Sequence, residues 1–155
     1  MTLRLAVSIL FFACLACAPA VAEDAKPAAP KLSMGDGEHN RIVTDGLARD
    51  GRVLTFREVV VADNSWLVLH PFKDGKPVGA IYVGATYLAA GTHENVEITV
   101  QTAPEPEPGV MYLVMLHQDV NNDETFDFVF VDERNVLDKA VFEGTTMIAH
   151  AVAAP

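Results

Sequence analysis

Cysteine is scarce in this sequence. The 155 residues include two cysteines, Cys14 and Cys17, and both lie in an apolar segment near the N-terminus. If that segment is removed as a signal peptide, the remaining chain has no thiol and no disulfide. Cysteine catalysis and thiolate metal ligation are then excluded, and the fold must be stabilised by its hydrophobic core.

Basic residues and long apolar runs are also scarce. Lys and Arg total 11 against 21 Asp and Glu, which gives a formal net charge of -10, and no cluster of basic residues occurs. Nucleic acids and anionic lipids are therefore poor partners, because both attract positive charge. No stretch after the N-terminal segment approaches the roughly 18 apolar residues that a membrane-spanning helix needs. The sequence thus predicts no nucleic-acid partner and no membrane span. We also predict a monomer, and an unknown protein partner stays open.

The N-terminus has the pattern of a secretory signal. Arg4 precedes an apolar run over residues 5–18, and small residues occupy positions 20–22 before Glu23. We therefore predict a signal peptide over residues 1–22, cleaved after Ala22, and a periplasmic or secreted protein. The alternative is a lipid anchor on Cys17. Cleavage is favoured because Cys14 stands where such an anchor motif prefers an aliphatic residue.

The mature chain divides into a tether and one domain. Residues 23–38 begin with an Ala/Pro-rich stretch, EDAKPAAPK, which is typical of a flexible tether. Residues 39–155 are long enough for one folded domain of ordinary size.

Short β-branched and aromatic runs, separated by turn residues, recur through the domain. They are typical of strands, and no helical period is sustained. The Asp74-Gly75 turn and the proline-rich segment 103–109 favour antiparallel pairing. We predict an all-β, antiparallel Greek-key (immunoglobulin-like) β-sandwich of seven to eight strands. The candidate strands are 53–62, 66–72, 78–83, 96–101, 111–118, 126–132 and 145–152, with a weaker one at 41–44.

Catalytic motifs are missing from the sequence. It contains no Gly-x-Ser-x-Gly elbow, no His-Glu-x-x-His helix, no phosphate-binding glycine loop and no dinucleotide fingerprint. We predict that the protein is not an enzyme, the alternative being an enzyme whose site forms only in three dimensions.

Oxygen-bearing side chains alternate in the segment DVNNDETFD. A tight loop with this pattern can direct several oxygen ligands at one Ca²⁺ ion. The segment is not an EF-hand, because Glu124 replaces the turn glycine and Phe130 replaces the bidentate Glu. The alternative is a hairpin tip in which Asp and Asn form turn hydrogen bonds. The candidate calcium ligands are Asp119, Asn121, Asp123, Thr125 and Asp127.

Three histidines lie at or near the ends of predicted strands. His70 and His117 each follow an apolar run, and His93 lies in a turn before another strand. Strand ends can converge at one pole of a sandwich, and Met115 shares a face with His117, so a copper or zinc site is a second hypothesis. The alternative is that these histidines are buried caps hydrogen-bonded to loops.

The residues just discussed resemble those of a known family. The runs WLVLH at 66–70, GTHENV at 91–96, HQDVN at 117–121 and FDF at 126–128 are similar to an uncharacterised extracytoplasmic β-sandwich domain. That family is common on haloarchaeal surface proteins and also occurs in bacterial secreted proteins. The resemblance implies an exported sandwich and brings no established activity. It makes His70, His93, His117, Asp119 and Asn121 the positions to follow.

Together these patterns predict an exported, non-catalytic β-sandwich that acts as a binding or structural module. No cofactor is certain from the sequence. A structural Ca²⁺ ion in the 119–127 hairpin is the first hypothesis, and a periplasmic copper or zinc protein is the alternative.

Overall fold

A computed structural model describes residues 31–128 and 137–155 of the chain. The predicted signal peptide, both cysteines and the first part of the tether lie outside these ranges. Residues 129–132, the second half of one predicted strand, also lie outside them. Within the described ranges the secondary structure is entirely β, without a helix, and therefore without a helix able to cross a membrane.

Twelve strands form two sheets in the described residues. Their bounds are β1 Ser33–Gly35, β2 Arg41–Val43, β3 Ala48–Asp50, β4 Val53–Val61, β5 Ser65–Lys73, β6 Lys76–Pro77, β7 Gly84–Leu88, β8 Gly91–Thr99, β9 Met111–Asp119, β10 Asp138–Ala140, β11 Phe142–Glu143 and β12 Thr146–Ala153.

The larger sheet has the order β1-β12-β9-β5-β6, with β10 beside β9, β11 beside β12 and β7 beside β5. The smaller sheet has the order β2-β4-β3, with β8 beside β4. Every pair is antiparallel except β1 with β12. The predicted all-β sandwich is confirmed, and its strand number exceeds the prediction because six strands have only two or three residues.

One apolar core joins the two sheets. Leu67 of β5 and Leu116 of β9 belong to the same buried cluster as Phe56 of β4 and Ile98 of β8, and all four side chains are fully buried. Each such side chain contributes about 1.5–3 kcal/mol by leaving water. Successive residues of a strand point to opposite faces, so His70 and His117 lie on the outer face of the larger sheet, away from this core.

Two predicted strands differ from the structure. Residues 78–83 form turns instead of a strand, with the Ile81 amide donating to the Val78 carbonyl at 3.2 Å, and the strand follows at β7. Residues 126–128 are irregular. Tyr82 of the first segment packs against Phe126 and Phe128 of the second on the outer face of the larger sheet, whereas Val83 belongs to the core between the sheets.

The end of the predicted tether contacts the domain. Residues 33–35 form β1, which pairs in parallel with β12. The Glu143 carboxylate then accepts hydrogen bonds from the backbone amides of Glu38, His39 and Asn40. In the structure the sheet therefore begins at residue 33, within the segment that the sequence assigns to the tether.

Gly84, the first residue of β7, lies where the two sheets approach each other. A Cβ atom at this position would collide with the backbone carbonyl oxygen of Thr99 in β8. A backbone atom within a strand cannot rotate aside as a flexible side chain can. We expect Gly84→Ala to lower the free energy of unfolding by about 1–3 kcal/mol, measured by urea unfolding.

Gly79 is the matched control for this substitution. A Cβ atom at Gly79 meets nothing within 4 Å, and its backbone is not left-handed. Gly79→Ala should therefore change the free energy of unfolding by no more than about 0.5 kcal/mol. Equal effects of the two substitutions would contradict the close approach at Gly84.

Candidate functional site

The outer face of the larger sheet brings two histidines together. In the register of β5 with β9, His70 lies opposite Leu113 and His117 lies opposite Trp66, with the Val68–Met115 pair between them. The two imidazole rings lean toward each other across that central pair, and their centroids are 5.5 Å apart. Residues 47 positions apart in the chain thus form one cluster.

Both imidazoles have a fixed orientation. The Nδ1 atom of His70 lies 2.6 Å from the Ile81 carbonyl oxygen, and the Nδ1 atom of His117 lies 3.0 Å from the Asp138 carbonyl oxygen. A carbonyl oxygen only accepts hydrogen bonds, so each Nδ1 must carry the proton and donate it. Each neutral ring therefore has its lone pair on Nε2.

The two Nε2 atoms face each other at 3.3 Å. Two lone pairs at this distance, in a site where His70 is 0% and His117 is 2% exposed, are unfavourable unless a positive charge lies between them. That charge is either a shared proton or a metal ion. Two nitrogens bound to one ion at 2.0–2.1 Å with a tetrahedral angle are separated by about 3.3 Å. The observed spacing therefore equals that of two neighbouring ligands of a tetrahedral ion.

Aromatic rings enclose the histidine pair. The ring of Phe128 lies with its centroid 5.6 Å from His70 and 4.8 Å from His117, edge to face in both cases. Phe126 stacks beside Phe128 at 5.7 Å and meets His117 at 5.5 Å. Tyr82 contacts both phenylalanines. These rings keep water from the imidazoles and strengthen any electrostatic interaction at Nε2.

Burial keeps both imidazoles neutral. It lowers the pKa of His117 to about 4, with the neighbouring His70 adding to the effect and the Asp138 carbonyl opposing it. Burial likewise lowers the pKa of His70, and the carbonyls of Ile81 and Val78 oppose it. At neutral pH both rings are thus in the form that binds metal.

The third predicted histidine lies elsewhere. His93 is on β8 of the smaller sheet, opposite Val59, and its Nε2 atom lies 2.6 Å from the Ala89 carbonyl oxygen. The structure therefore brings together His70 and His117 and leaves His93 outside the pair.

The predicted calcium hairpin contains a network of turn hydrogen bonds. Asp123 accepts hydrogen bonds from the Asn121 amide group and from the Thr125 backbone amide, both at 2.8 Å. Asp119 accepts the Glu124 amide at 3.1 Å through Oδ2. The Asp127 carboxylate lies 3.5 Å from the Asn121 amide group. The five predicted side chains thus occur in one loop, where several act as turn acceptors.

Asp138 is a site residue that sequence reasoning missed. It lies on β10 directly opposite Asp119 of β9, and its side chain is fully buried. One of its oxygens, Oδ2, accepts the backbone amide of Asp127. The only sequence signal is a single acidic residue in a short β-type run, which is too weak to single it out.

The parts of the chain that the structure describes contain no complete set of protein ligands for a metal ion. Within residues 31–128 and 137–155, no three His, Cys, Asp or Glu side chains lie close enough together to hold a metal. Among the described residues, an ion at the histidine pair would therefore have two imidazole ligands.

Comparison with known proteins identifies a family. No curated protein and no solved structure matches the chain. A family model described as a domain of unknown function, DUF7282, matches residues 40–153, which include every strand from β2 to β12. The chain therefore belongs to the DUF7282 family.

Proposed function

We propose that this protein is an exported, monomeric, non-catalytic β-sandwich domain that binds one copper or zinc ion between His70 and His117. The observation that carries the proposal is the 3.3 Å separation of the two Nε2 atoms. Both lone pairs point at one position because backbone carbonyls hold the two Nδ1 protons. Carbonyl groups orient metal-binding histidines in the same way in known sites.

The surroundings favour a borderline or soft ion over a hard one. Imidazole nitrogen suits copper and zinc, whereas Ca²⁺ and Mg²⁺ prefer oxygen ligands. Met115 lies between the two histidines on the same face of the sheet, and a thioether ligand would select Cu(I) over Zn²⁺. The test should therefore compare the affinities of Cu(I) and Zn²⁺ for this one site.

Export supports this assignment and remains part of the proposal. The apolar run over residues 5–18 and the small residues at 20–22 favour removal of a signal peptide after Ala22. An exported domain with a buried histidine pair and no thiol would hold the ion through imidazole in an oxidising compartment.

The test is metal titration of the purified chain after treatment with EDTA. We expect one equivalent of Cu(I) or Zn²⁺ to bind, measured by calorimetry for zinc and by chelator competition for Cu(I). His70→Gln and His117→Gln should each weaken binding by about 100-fold, because one of two imidazole ligands is lost.

His93→Gln is the matched control, since it makes the same chemical change at a histidine outside the pair. It should leave affinity and stoichiometry unchanged. Equal losses of metal affinity in all three variants, or no metal binding by the unmutated chain, would overturn the proposal. If His70→Gln or His117→Gln fails to fold, the imidazole ¹⁵N signals of the unmutated chain test the proposal instead. Metal must shift the Nε2 resonances of His70 and His117 and leave those of His93 in place.

A further inference from the structure

Two buried carboxylates lie opposite each other at the edge of the histidine cluster. Asp119 ends β9 and Asp138 begins β10, and the register makes them direct partners. The exposed fraction is 2% for Asp119 and 0% for Asp138. Like charges at directly opposed positions of a sheet destabilise it, and burial increases that cost.

One oxygen of each carboxylate has no partner. The Oδ2 atoms accept backbone amides of the 119–127 loop, from Glu124 to Asp119 and from Asp127 to Asp138. The Oδ1 atoms of Asp119 and Asp138 are buried and accept no hydrogen bond. A buried carboxylate oxygen without a donor is costly and requires a compensating cation or proton.

No basic side chain supplies the compensation within the described residues. The ion pairs there join Arg41 to Glu58 and His150 to Asp36, and neither includes these carboxylates. Among the residues that the structure describes, the charges that act on Asp138 belong to further acids, Asp119, Asp127 and Asp123. The site is thus acidic and buried, with two carboxylates in place. No third acidic side chain of the described residues lies close enough to complete a metal site, so the loop carboxylates must move toward an ion that binds there.

We propose that Asp119 and Asp138 bind a Ca²⁺ ion through their free Oδ1 atoms, with Asp123 and Asp127 of the connecting loop as further ligands. Ca²⁺ fits because it takes six to eight oxygen ligands in flexible geometry. Two ligands are already positioned by the β9–β10 pair, and the loop carboxylates close on the ion when it binds. The side chains of Asn121 and Thr125 form turn hydrogen bonds instead: the Asn121 amide group donates to the Asp123 carboxylate, and the Thr125 hydroxyl donates to the Asp123 carbonyl.

This site is separate from the proposed copper or zinc site, and its role is structural. The loop that it anchors continues into Phe126 and Phe128, which cover the imidazoles. The same ion would neutralise Asp138, whose carbonyl orients His117. Calcium binding therefore fixes the aromatic cover and one of the two histidines.

The test compares thermal unfolding of the full chain in EDTA and in excess Ca²⁺. We expect Ca²⁺ to raise the Tm by several degrees at about 100 times its dissociation constant, with one ion bound in calorimetry. Asp119→Asn and Asp138→Asn should lose this shift. Asp45→Asn, at an exposed turn aspartate, is the matched control and should keep it.

Asp123→Asn keeps the proposal falsifiable if a buried variant fails to fold. This loop residue is exposed, so the variant should fold, although it loses one acceptor oxygen of the turn. Its substitution should weaken calcium affinity by about tenfold, with the Tm in Ca²⁺ compared with the Tm of the same variant in EDTA. The proposal is overturned if Ca²⁺ does not raise the Tm, or if Asp119→Asn, Asp138→Asn and Asp123→Asn all retain the full response.

The histidine variants separate the two proposed sites. His70→Gln should keep the calcium shift even where it loses copper or zinc. A chain that responds to Ca²⁺ but not to copper or zinc supports the carboxylate site and refutes the histidine site, and the opposite response refutes the carboxylate site alone.

Discussion

Phe56→Ala is expected to lower the free energy of unfolding by about 3–5 kcal/mol. Phe56 is the largest fully buried side chain, and it lies on β4 opposite Val96 of β8. Truncation to alanine removes most of its apolar surface and leaves a cavity between the sheets. The packed surroundings can fill such a cavity only in part, so the loss exceeds the transfer free energy alone.

Arg57→Ala is the control for Phe56→Ala. Arg57 is the next residue of β4, it is exposed, and its substitution should change the free energy of unfolding by no more than about 0.5 kcal/mol. Urea unfolding of both variants measures the difference. Similar small losses would contradict a core formed between the two sheets.

The alternation of polar and apolar residues predicted the sandwich but not every detail of its strands. In β4, Leu54 and Phe56 are buried, and then Val59 and Val61 are buried, so the alternation changes phase. The change occurs opposite Asn95, which has a left-handed φ of 53°. A strand prediction from period two alone cannot locate such a local reversal, because it depends on the conformation of the partner strand.

Strand-end position made His70, His93 and His117 joint candidates for one metal site, but it could not show which of the three side chains lie together. His70 and His93 both lie near the ends of predicted strands, yet β5 lies in the larger sheet and β8 in the smaller one. The pairing of His70 with His117 depends on the register of β5 with β9, which is a long-range property. Local sequence does not specify which strands become neighbours.

The acidic loop at residues 119–127 shows a similar limit of prediction from local sequence. The spacing from Asp119 to Asp127 singled out oxygen-bearing side chains that lie in one loop of the structure. It gave no indication of Asp138, because the pairing of β10 with β9 is not a local property of the sequence. A site that depends on two carboxylates far apart in sequence is visible only when the sheet is known.

Acidification of the EDTA-treated protein is expected to destabilise it between about pH 6.5 and pH 4. Burial lowers the pKa of His117 to about 4, whereas the ordinary value is 6.5, so in this range the unfolded chain binds a proton that the native chain does not. Stability is therefore lost as the pH falls. A shift of this size contributes about 3 kcal/mol, and the lowered pKa of His70 acts in the same direction.

Asp138 opposes the histidines in the same pH range. Burial, with the nearby acids Asp119, Asp127 and Asp123 adding to it, raises its pKa to about 6, so the native chain binds a proton there before the unfolded chain does. This contribution favours the native state as the pH falls from 6 toward 4, and it costs stability above pH 6. The observed slope is the difference between the two effects.

Asp138→Asn separates these contributions. The variant removes a buried charge, so without calcium it should be more stable than the unmutated chain at pH 7. At pH 4, where Asp138 is already protonated, the two should be nearly equal. The stability of the variant should thus fall more steeply as the pH is lowered than that of the unmutated chain, whereas His117→Gln should make this fall less steep.

Urea unfolding at pH 7, 6, 5 and 4 measures the pH dependence of stability in both variants. A slope in Asp138→Asn that is no steeper than that of the unmutated chain would mean that Asp138 stays ionised as the pH falls. Adding Ca²⁺ at pH 7 should reverse the order of stability, because the ion compensates the charge of Asp138 in the unmutated chain and has no such partner in the variant.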